Sequence, residues 1–152
     1  MIMDNSKNVF FVCKIITCRT NLCYQHLQLL EGLKLKKSYI PAAELGLFAT
    51  KEFRNNDNIS QYTGDISSNR IEGPYVLQVN NNKFIDAKKT STSAGRYAND
   101  CRTHNRNQGH CSGNNAKLSY DYRNNRANLK AIRPIHHGDE VYVSYSRGYW
   151  GD

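Results

Sequence analysis

The chain has no hydrophobic run that reaches the roughly 18 residues needed to cross a membrane as a helix. Its longest apolar stretch, near residues 9–16, contains Lys14 and lacks the small-residue cleavage site of a secretory signal. Also missing are the GxGxxG and GxxxxGKS/T loops that bind phosphates, and the GxSxG and HExxH signatures of two hydrolase classes. We therefore expect a soluble, intracellular protein that does not contact membranes, and these motif-based classes are excluded.

Acidic residues are scarce. The sequence has 13 aspartates and glutamates against 21 lysines and arginines, and its net charge is +8. Such an excess favours encounters with nucleic acid or chromatin without choosing a fold, so non-specific contact with DNA is one expectation. The 152 residues, 39% of them hydrophobic, suffice for a single domain with one ordinary core.

The five cysteines are an odd number without a secretory signal, so we expect free thiols and no disulfide framework. Three of them, within residues 13–23, recur every five residues, which is not the close pairing of a zinc knuckle. A second group has ligand types suited to tetrahedral zinc: Cys101, His104, His110 and Cys111. Its spacing matches no standard template, so we predict no metal site.

The hydrophobic pattern predicts one short helix followed by strands. The leucine-rich segment 22–30 could be capped by Thr20 or Asn21 and ended by Gly32, which indicates a helix. From Leu33 onward the hydrophobic period becomes two. Further along, residues 75–79 and 84–85 flank the asparagine run 80–82 as a predicted hairpin, and the other asparagine pairs are good turn positions. Several short strands with one or two short helices indicate an α+β domain that is mainly β.

The last predicted strand places a tyrosine on its inner face. Val141, Val143 and Tyr145 share one phase, whereas Tyr142 and Ser144 share the other. A tyrosine at the inner end of a buried strand needs a partner for its hydroxyl. A satisfied core tyrosine and a functional tyrosine both remain open from this pattern alone.

Three groups of segments occur in a recognisable order: 44–49 (ELGLFA) with 59–65 (ISQYTGD), then 95–101 (GRYANDC), then 132–145, which contains IRPI and GDEVYVSY. They are similar to the GxGLFA and YxGE elements, the RFINHSC segment and the closing GEEL strand of the SET-domain family of protein lysine methyltransferases. From about Pro41 to Trp150, the chain thus resembles this family.

The resemblance implies a SET-domain fold of several short sheets with a C-terminal threaded, pseudoknot-like segment. It divides the chain into an N-terminal flanking segment with a strand and a short helix (1–40), the SET core (41–146) and a short tail that closes the cofactor site (147–152). The tail carries no cysteine-rich zinc segment. The helix of the flanking segment would pack on the core or form a homodimer face.

The family's function implies S-adenosyl-L-methionine as cofactor, with the substrate peptide on the opposite face and a narrow channel between them. Tyr145 is the implied main catalytic tyrosine and Tyr62 a second channel residue, while Tyr120 or Tyr122 could also line the channel. The implied cofactor-binding residues are Leu45, Gly46, Leu47, Arg96, Tyr97, Asn99, Asp100, Tyr145 and Trp150. The implied substrate-binding strand comprises Tyr75, Val76, Leu77, Gln78 and Val79.

Two positions depart from the family pattern: Glu44 stands at the first glycine of GxG and Asp100 at the usual histidine. We therefore keep three hypotheses: an active methyltransferase acting on a protein lysine, a catalytically inactive SET-like binding module that recruits chromatin or other partners, and a basic nucleic-acid-binding domain. The family's usual substrates favour a histone or nucleosome, and with it a nuclear or chromatin-associated location. Because the chain is basic, a histone tail would be bound well only if acids such as Asp57, Asp65 or Asp86 lay along the groove.

Overall fold

The computed structural model describes residues 2–4, 9–11, 27–41, 43–89, 93–101 and 111–145. The strands are Ile2–Asp4 (β1), Val9–Phe11 (β2), Leu33–Lys37 (β3), Leu45–Ala49 (β4), Asn58–Tyr62 (β5), Asp65–Ser67 (β6), Val76–Asn80 (β7), Lys83–Asp86 (β8), Ala116–Asp121 (β9) and Arg126–Ala131 (β10). Two helical turns accompany them, a π-helical turn over Leu27–Glu31 and a 3-10 turn over Ala94–Tyr97.

The described strands form four small antiparallel sheets, with the orders β1-β2, β3-β4, β5-β10-β9 and β6-β8-β7. In the second of these, Leu33 lies opposite Ala49 and Leu35 opposite Leu47. The intervening lysines of β3 therefore face away from the core, as the period of two predicts. β4 is buried along almost its whole length, which suits its nearly uninterrupted apolar run.

Two hydrophobic clusters hold the β3-β4, β5-β10-β9 and β6-β8-β7 sheets together. The larger cluster gathers side chains from β3, β4, β5, β9, β10 and the C-terminal segment, among them Leu33, Leu47, Ile59, Leu129 and Val141. A smaller cluster contains Tyr62, Ile85, Ala87 and Ala127, with β7 side chains packed against it. Leu118 of β9 packs against both clusters, and it also lines the cavity of the candidate site.

Local sequence signals were good guides to the turns. Gly32 follows the Leu27–Glu31 turn with a φ of 69°, as predicted for the end of the helix, whose predicted start lies outside the described residues. The predicted hairpin is confirmed as β7 and β8. Asn56 and Asn125 adopt positive φ angles of 71° and 53° in tight turns, which asparagine tolerates better than most residues.

The C-terminal segment 139–145 runs between other parts of the chain and is hydrogen-bonded on both sides. The Val141 amide donates to the Leu47 carbonyl (2.7 Å), and the Val143 amide donates to the Asn99 carbonyl (2.8 Å). On the other side, the Tyr142 carbonyl accepts from the Ala116 amide (2.9 Å). A segment enclosed in this way has the surroundings expected of a threaded chain end.

This enclosure corrects one prediction about the last strand. Val141 and Val143 are buried as predicted and Ser144 is exposed, but Tyr142 is also buried, with 6% of its surface exposed. The period-two pattern assumes that one face of a strand meets solvent, whereas both faces are covered at Tyr142. The segment forms isolated bridges instead of an extended strand.

The expectation of free thiols is wrong for two cysteines. Cys101 and Cys111 form a disulfide, with their Cα atoms 6.0 Å apart. This pairing removes both residues from the zinc group considered above, whose histidines lie outside the described residues, as do the three N-terminal cysteines. No helix in the described part of the chain is long and apolar enough to span a membrane.

Candidate active site

A cavity of about 290 Å³ lies between β7, β9, the 3-10 turn and the C-terminal segment. Both β7 and β9 are outer strands of their sheets, so the cavity opens between two strand edges. It is lined by Tyr62, Pro74, Tyr75, Val76, Leu77, Gly95, Arg96, Ala98, Lys117, Leu118, Val143, Ser144 and Tyr145. The structure therefore brings both predicted catalytic tyrosines to one cavity, beside the predicted substrate strand.

Both the hydroxyl and the backbone amide of Tyr145 are hydrogen-bonded in this cavity. Its hydroxyl donates to the Ala98 carbonyl (3.0 Å), and its backbone amide donates to the Asp100 carboxylate (2.7 Å). Because Ala98 and Asp100 flank Asn99 in one short segment, the segment fixes both the position and the direction of the phenol. The hydroxyl partner that a buried tyrosine requires is thus a backbone carbonyl.

Tyr62 occupies the neighbouring wall at the end of β5. Its hydroxyl donates to the Tyr75 carbonyl (2.8 Å), which links β5 to the start of β7. Burial raises the pKa of the Tyr62 phenol well above its usual range, and Asp86 adds to this while Arg96 opposes it. The Tyr62 hydroxyl therefore stays protonated at any physiological pH and acts as a neutral hydrogen-bond donor.

Arg96 brings unsatisfied donors to the cavity wall. Its side chain is buried, with 8% exposed, and its guanidinium carbon lies 4.3 Å from the ring centre of Tyr75 and 5.0 Å from that of Tyr97. The Nε and Nη1 atoms have no hydrogen-bond partner. Leaving two buried guanidinium nitrogens without acceptors is costly, so this arrangement favours a ligand that supplies a carboxylate or carbonyl oxygen.

Asp100 stands where the family has histidine, and it is completely buried. One carboxylate oxygen accepts the Tyr145 amide, and the other accepts from the Asn114 side-chain amide (3.1 Å). Asn114 in turn accepts from the Cys101 amide (2.9 Å). Asp100 is therefore a positioning residue that ties the Tyr145 backbone to the segment following the disulfide.

Glu140 supplies a buried carboxylate that is not part of the lining of this cavity. One of its oxygens accepts from the Ser38 hydroxyl (2.6 Å) and the Asn99 side chain (3.2 Å), and the other accepts from the Tyr39 amide (2.8 Å) and the Tyr142 hydroxyl (2.9 Å). Burial, with the nearby carboxylate adding to it, raises the pKa of the Tyr142 phenol. This network joins the segment before β4, the motif around Asn99 and the C-terminal segment.

The network also explains why glycine follows Leu45. A Cβ atom at Gly46 would lie 2.1 Å from Glu140 Oε1. The Leu45 carbonyl accepts from the Asn99 side chain (2.9 Å), and the Leu47 side chain is fully buried in the core. The predicted close approach at Gly46 is therefore occupied by a carboxylate of the chain itself, and cofactor contact by these three residues stays a prediction.

The remaining predicted residues divide clearly. Tyr97 is half-buried beside Arg96. Of the predicted substrate strand, Tyr75, Val76 and Leu77 line the cavity, whereas Gln78 and Val79 are not among its lining residues. Tyr120 and Tyr122 pack edge to face in the β9–β10 hairpin and are not among the residues that line the cavity. Trp150 lies outside the described residues.

Sequence reasoning missed four residues that hold the site: Ser38, Asn115, Glu140 and Tyr142. The Asn115 side chain donates to the Glu140 carbonyl (2.9 Å) and accepts from the Tyr142 amide (2.8 Å). The only signal for Glu140 was an acid directly before an apolar strand. Ser38 and Asn115 gave none, because their partners are 102 and 25 to 27 positions away.

Comparison with known proteins agrees with this geometry. A family model described as "SET domain" matches residues 44–146, which is more than half of the chain. Among solved structures, the chain is similar to the methyltransferase domain of human PR domain-containing protein 2, with a TM-score of 0.57 and 23% sequence identity over 80% of this chain and 83% of that one. A search of curated proteins found no match. The predicted fold class, mainly β with several short sheets, is confirmed.

Proposed function

Because the chain belongs to the SET-domain family, we propose that it transfers methyl groups from S-adenosyl-L-methionine to the ε-amine of a lysine in a protein. The observation that carries this proposal is that Tyr145 and Tyr62, each with a hydroxyl oriented by a carbonyl, line one cavity beside the outer strands β7 and β9. No acidic side chain lines this cavity within the described residues, so catalysis would rest on positioning and desolvation.

The residues present fit the cofactor. The unpartnered Nε and Nη1 donors of Arg96 suit the carboxylate of the methionine portion, and Tyr97 and the backbone near Ala98 lie beside them. When bound, S-adenosyl-L-methionine supplies an electrophilic methyl group on a sulfonium. Asn99 and Asp100 would contribute indirectly, because their side chains already hold Leu45 and Tyr145 in place.

The chain's own groups would prepare the lysine for attack. Its amine must be neutral to act as a nucleophile, and the apolar walls formed by Val76, Leu77 and Val143 lower the pKa of an entering amine by desolvation. The hydroxyls of Tyr145 and Tyr62, held by carbonyl partners, orient the amine. Burial raises the pKa of the Tyr62 phenol, so its hydroxyl stays protonated.

A substrate peptide would bind in an extended conformation along β7. The outer edge of this strand offers backbone groups to an added strand, and it leads directly past the cavity. Family resemblance favours a histone, free or within a nucleosome, which would give the protein a nuclear or chromatin-associated role.

The test is a methyl-transfer assay with radiolabelled S-adenosyl-L-methionine and separate histone, nucleosome and lysate panels. We expect label on a protein lysine, and Tyr145→Phe should lower the rate by about 100-fold or more, the usual effect of removing one oriented hydrogen-bonding group. Tyr122→Phe is the matched control, because that tyrosine is 69% exposed and outside the cavity lining. Equal rates for the two variants would contradict the assigned role of Tyr145.

Cofactor binding is tested separately by calorimetry. Replacement of Arg96 by methionine should weaken binding by roughly 10- to 100-fold, which corresponds to the loss of one hydrogen bond to a charged group. Unchanged affinity would show that Arg96 does not hold the cofactor.

A second candidate function is a binding module without catalysis, and the aspartate at position 100 is the observation that favours it. Cofactor binding without turnover on any panel would support this alternative, whereas no cofactor binding at all would contradict the methyltransferase proposal.

A further inference from the structure

The charged side chains that line the cavity bear on which lysines could be methylated. Among the described residues these are two cations, Arg96 and Lys117. Lys83 reaches over the Tyr120 ring at the end of β9, with its amine 4.9 Å from the ring centre. An extended peptide between β7 and β9 would therefore pass cations along its path.

Lys117 is placed to contact such a peptide. It lies on β9, the outer strand of its sheet, and its side chain is exposed. Its cross-strand neighbour is Lys130, so two like charges face each other, an arrangement that destabilises a sheet. Lys117 has no carboxylate partner among the described residues. A carboxylate from outside the chain would relieve this repulsion.

The acids that a basic peptide would need are engaged elsewhere. Asp65 forms an ion pair with Lys89 (2.8 Å), Asp86 accepts the Lys88 amide (2.9 Å), and Asp57 accepts the Arg54 amide (2.7 Å). None of these three aspartates lines the cavity. A basic histone tail would be bound well only if these acids lay along the groove, and none of the three does so.

We infer that the methyl-accepting lysine lies in an acidic peptide segment, with a carboxylate within two residues of the lysine that pairs with Lys117. This inference rests on the proposed function and narrows its substrate class. Residues one and two positions from the lysine lie roughly 3 to 7 Å along an extended strand, which is within reach of a lysine side chain on the adjacent edge. Among histones and other proteins alike, lysines with acidic neighbours would then be preferred over lysines among arginines.

The experiment measures peptide binding by fluorescence anisotropy, with the full chain and three labelled peptides. Each peptide has one central lysine in a serine–alanine background, with glutamate, serine or arginine at the two positions on either side. We expect the glutamate peptide to bind about five-fold more tightly than the serine peptide, as for an exposed ion pair of about 1 kcal/mol, and the arginine peptide to bind more weakly. The preference should shrink at high salt.

A charge reversal locates the effect. Lys117→Glu should invert the order of the glutamate and arginine peptides. Lys34→Glu, which makes the same change of net charge at an exposed position on β3, should leave the order unchanged. If the wild type binds the arginine peptide as tightly as the glutamate peptide, or if both variants change the order equally, the inference is wrong.

Methyl transfer to the same peptides separates the two proposals. Preferred binding of the glutamate peptide without transfer to any peptide would support the docking inference and count against the proposed activity. Transfer that favours the arginine peptide would support the activity and overturn the inference.

Discussion

Gly46→Ala is the substitution for which the structure predicts the clearest energetic effect. The added Cβ would lie 2.1 Å from Glu140 Oε1 and 2.7 Å from its carboxyl carbon. Non-bonded heavy atoms in proteins approach to roughly 3.5 Å, so either β4 or the carboxylate must move. β4 is fixed between β3 and the C-terminal segment, which leaves the carboxylate as the group that yields.

The cost has two parts. Overpacking a core position costs about 1–3 kcal/mol. Moving the carboxylate also weakens its hydrogen bonds from Ser38, Tyr39, Asn99 and Tyr142, and each hydrogen bond to a charged group contributes about 1.5–3 kcal/mol. Loss of one such bond brings the total to about 2.5–6 kcal/mol, which for a chain of this size lowers Tm by on the order of 10 °C.

A double-mutant cycle tests this reasoning by chemical denaturation. In the Glu140→Ala background the carboxylate is absent, so Gly46→Ala should be close to neutral, because the restricted unfolded chain stabilises by about 0.4–1 kcal/mol and offsets the remaining contact of the added Cβ with the Phe48 ring at 3.1 Å. Glu140→Ala is itself destabilising, because it leaves four donors without their acceptor. An equal cost of Gly46→Ala in both backgrounds would refute the proposed collision.

Three further predictions concern other parts of the fold. Tyr62→Phe removes the hydroxyl that donates to the Tyr75 carbonyl and should cost about 1 kcal/mol near pH 7. Burial raises the pKa of this phenol, so the folded state loses stability above about pH 10, where the unfolded chain ionises. Chemical denaturation at pH 8 and pH 11 should show a smaller loss of unfolding free energy for the variant than for the wild type. An equal loss in the two proteins would contradict this. Burial likewise raises the pKa of Glu31, so the free energy of unfolding falls as pH rises from about 4 through that raised value. Glu31→Gln should reduce this pH dependence, and an unaltered pH profile of stability would argue against the role of Glu31. Reduction of the Cys101–Cys111 disulfide, which spans 10 residues, should lower stability by about 2–3 kcal/mol. Dithiothreitol should therefore lower the melting temperature of the wild type and leave that of the Cys101→Ser/Cys111→Ser control unchanged. An unchanged wild-type melting temperature would contradict the prediction.

The sequence predicted those parts of the fold that depend on neighbouring residues. The alternation of leucine and lysine in β3 reports directly which face is buried, and the asparagine run 80–82 sits between two β-forming stretches. The two cavity tyrosines were found through the family resemblance, not through periodicity, because the pattern of burial cannot distinguish a core tyrosine from a functional one.

Long-range partners account for what the sequence did not predict. The Glu140 network joins residues 101 and 102 positions apart, and no periodicity reports such a pairing. Tyr142 was assigned to the outer face because alternation presumes one covered side, whereas the threaded segment is covered on both. The disulfide was missed because the odd number of cysteines and the absence of a secretory signal predicted free thiols for the chain as a whole. That reasoning did not consider whether two cysteines 10 residues apart could pair.

The aspartate at position 100 weighs less against activity than its departure from the family motif suggests. The position requires an acceptor for the Tyr145 amide, and the carboxylate provides one at 2.7 Å. Its second oxygen needs a donor because the residue is fully buried, and the Asn114 side chain supplies it. Asp100 and Asn114 thus form a matched pair that performs the positioning task with different atoms. Tyr145 is held through its backbone amide by Asp100 and through its hydroxyl by the Ala98 carbonyl. The orientation of its phenol therefore depends on these two contacts and not on a histidine ring.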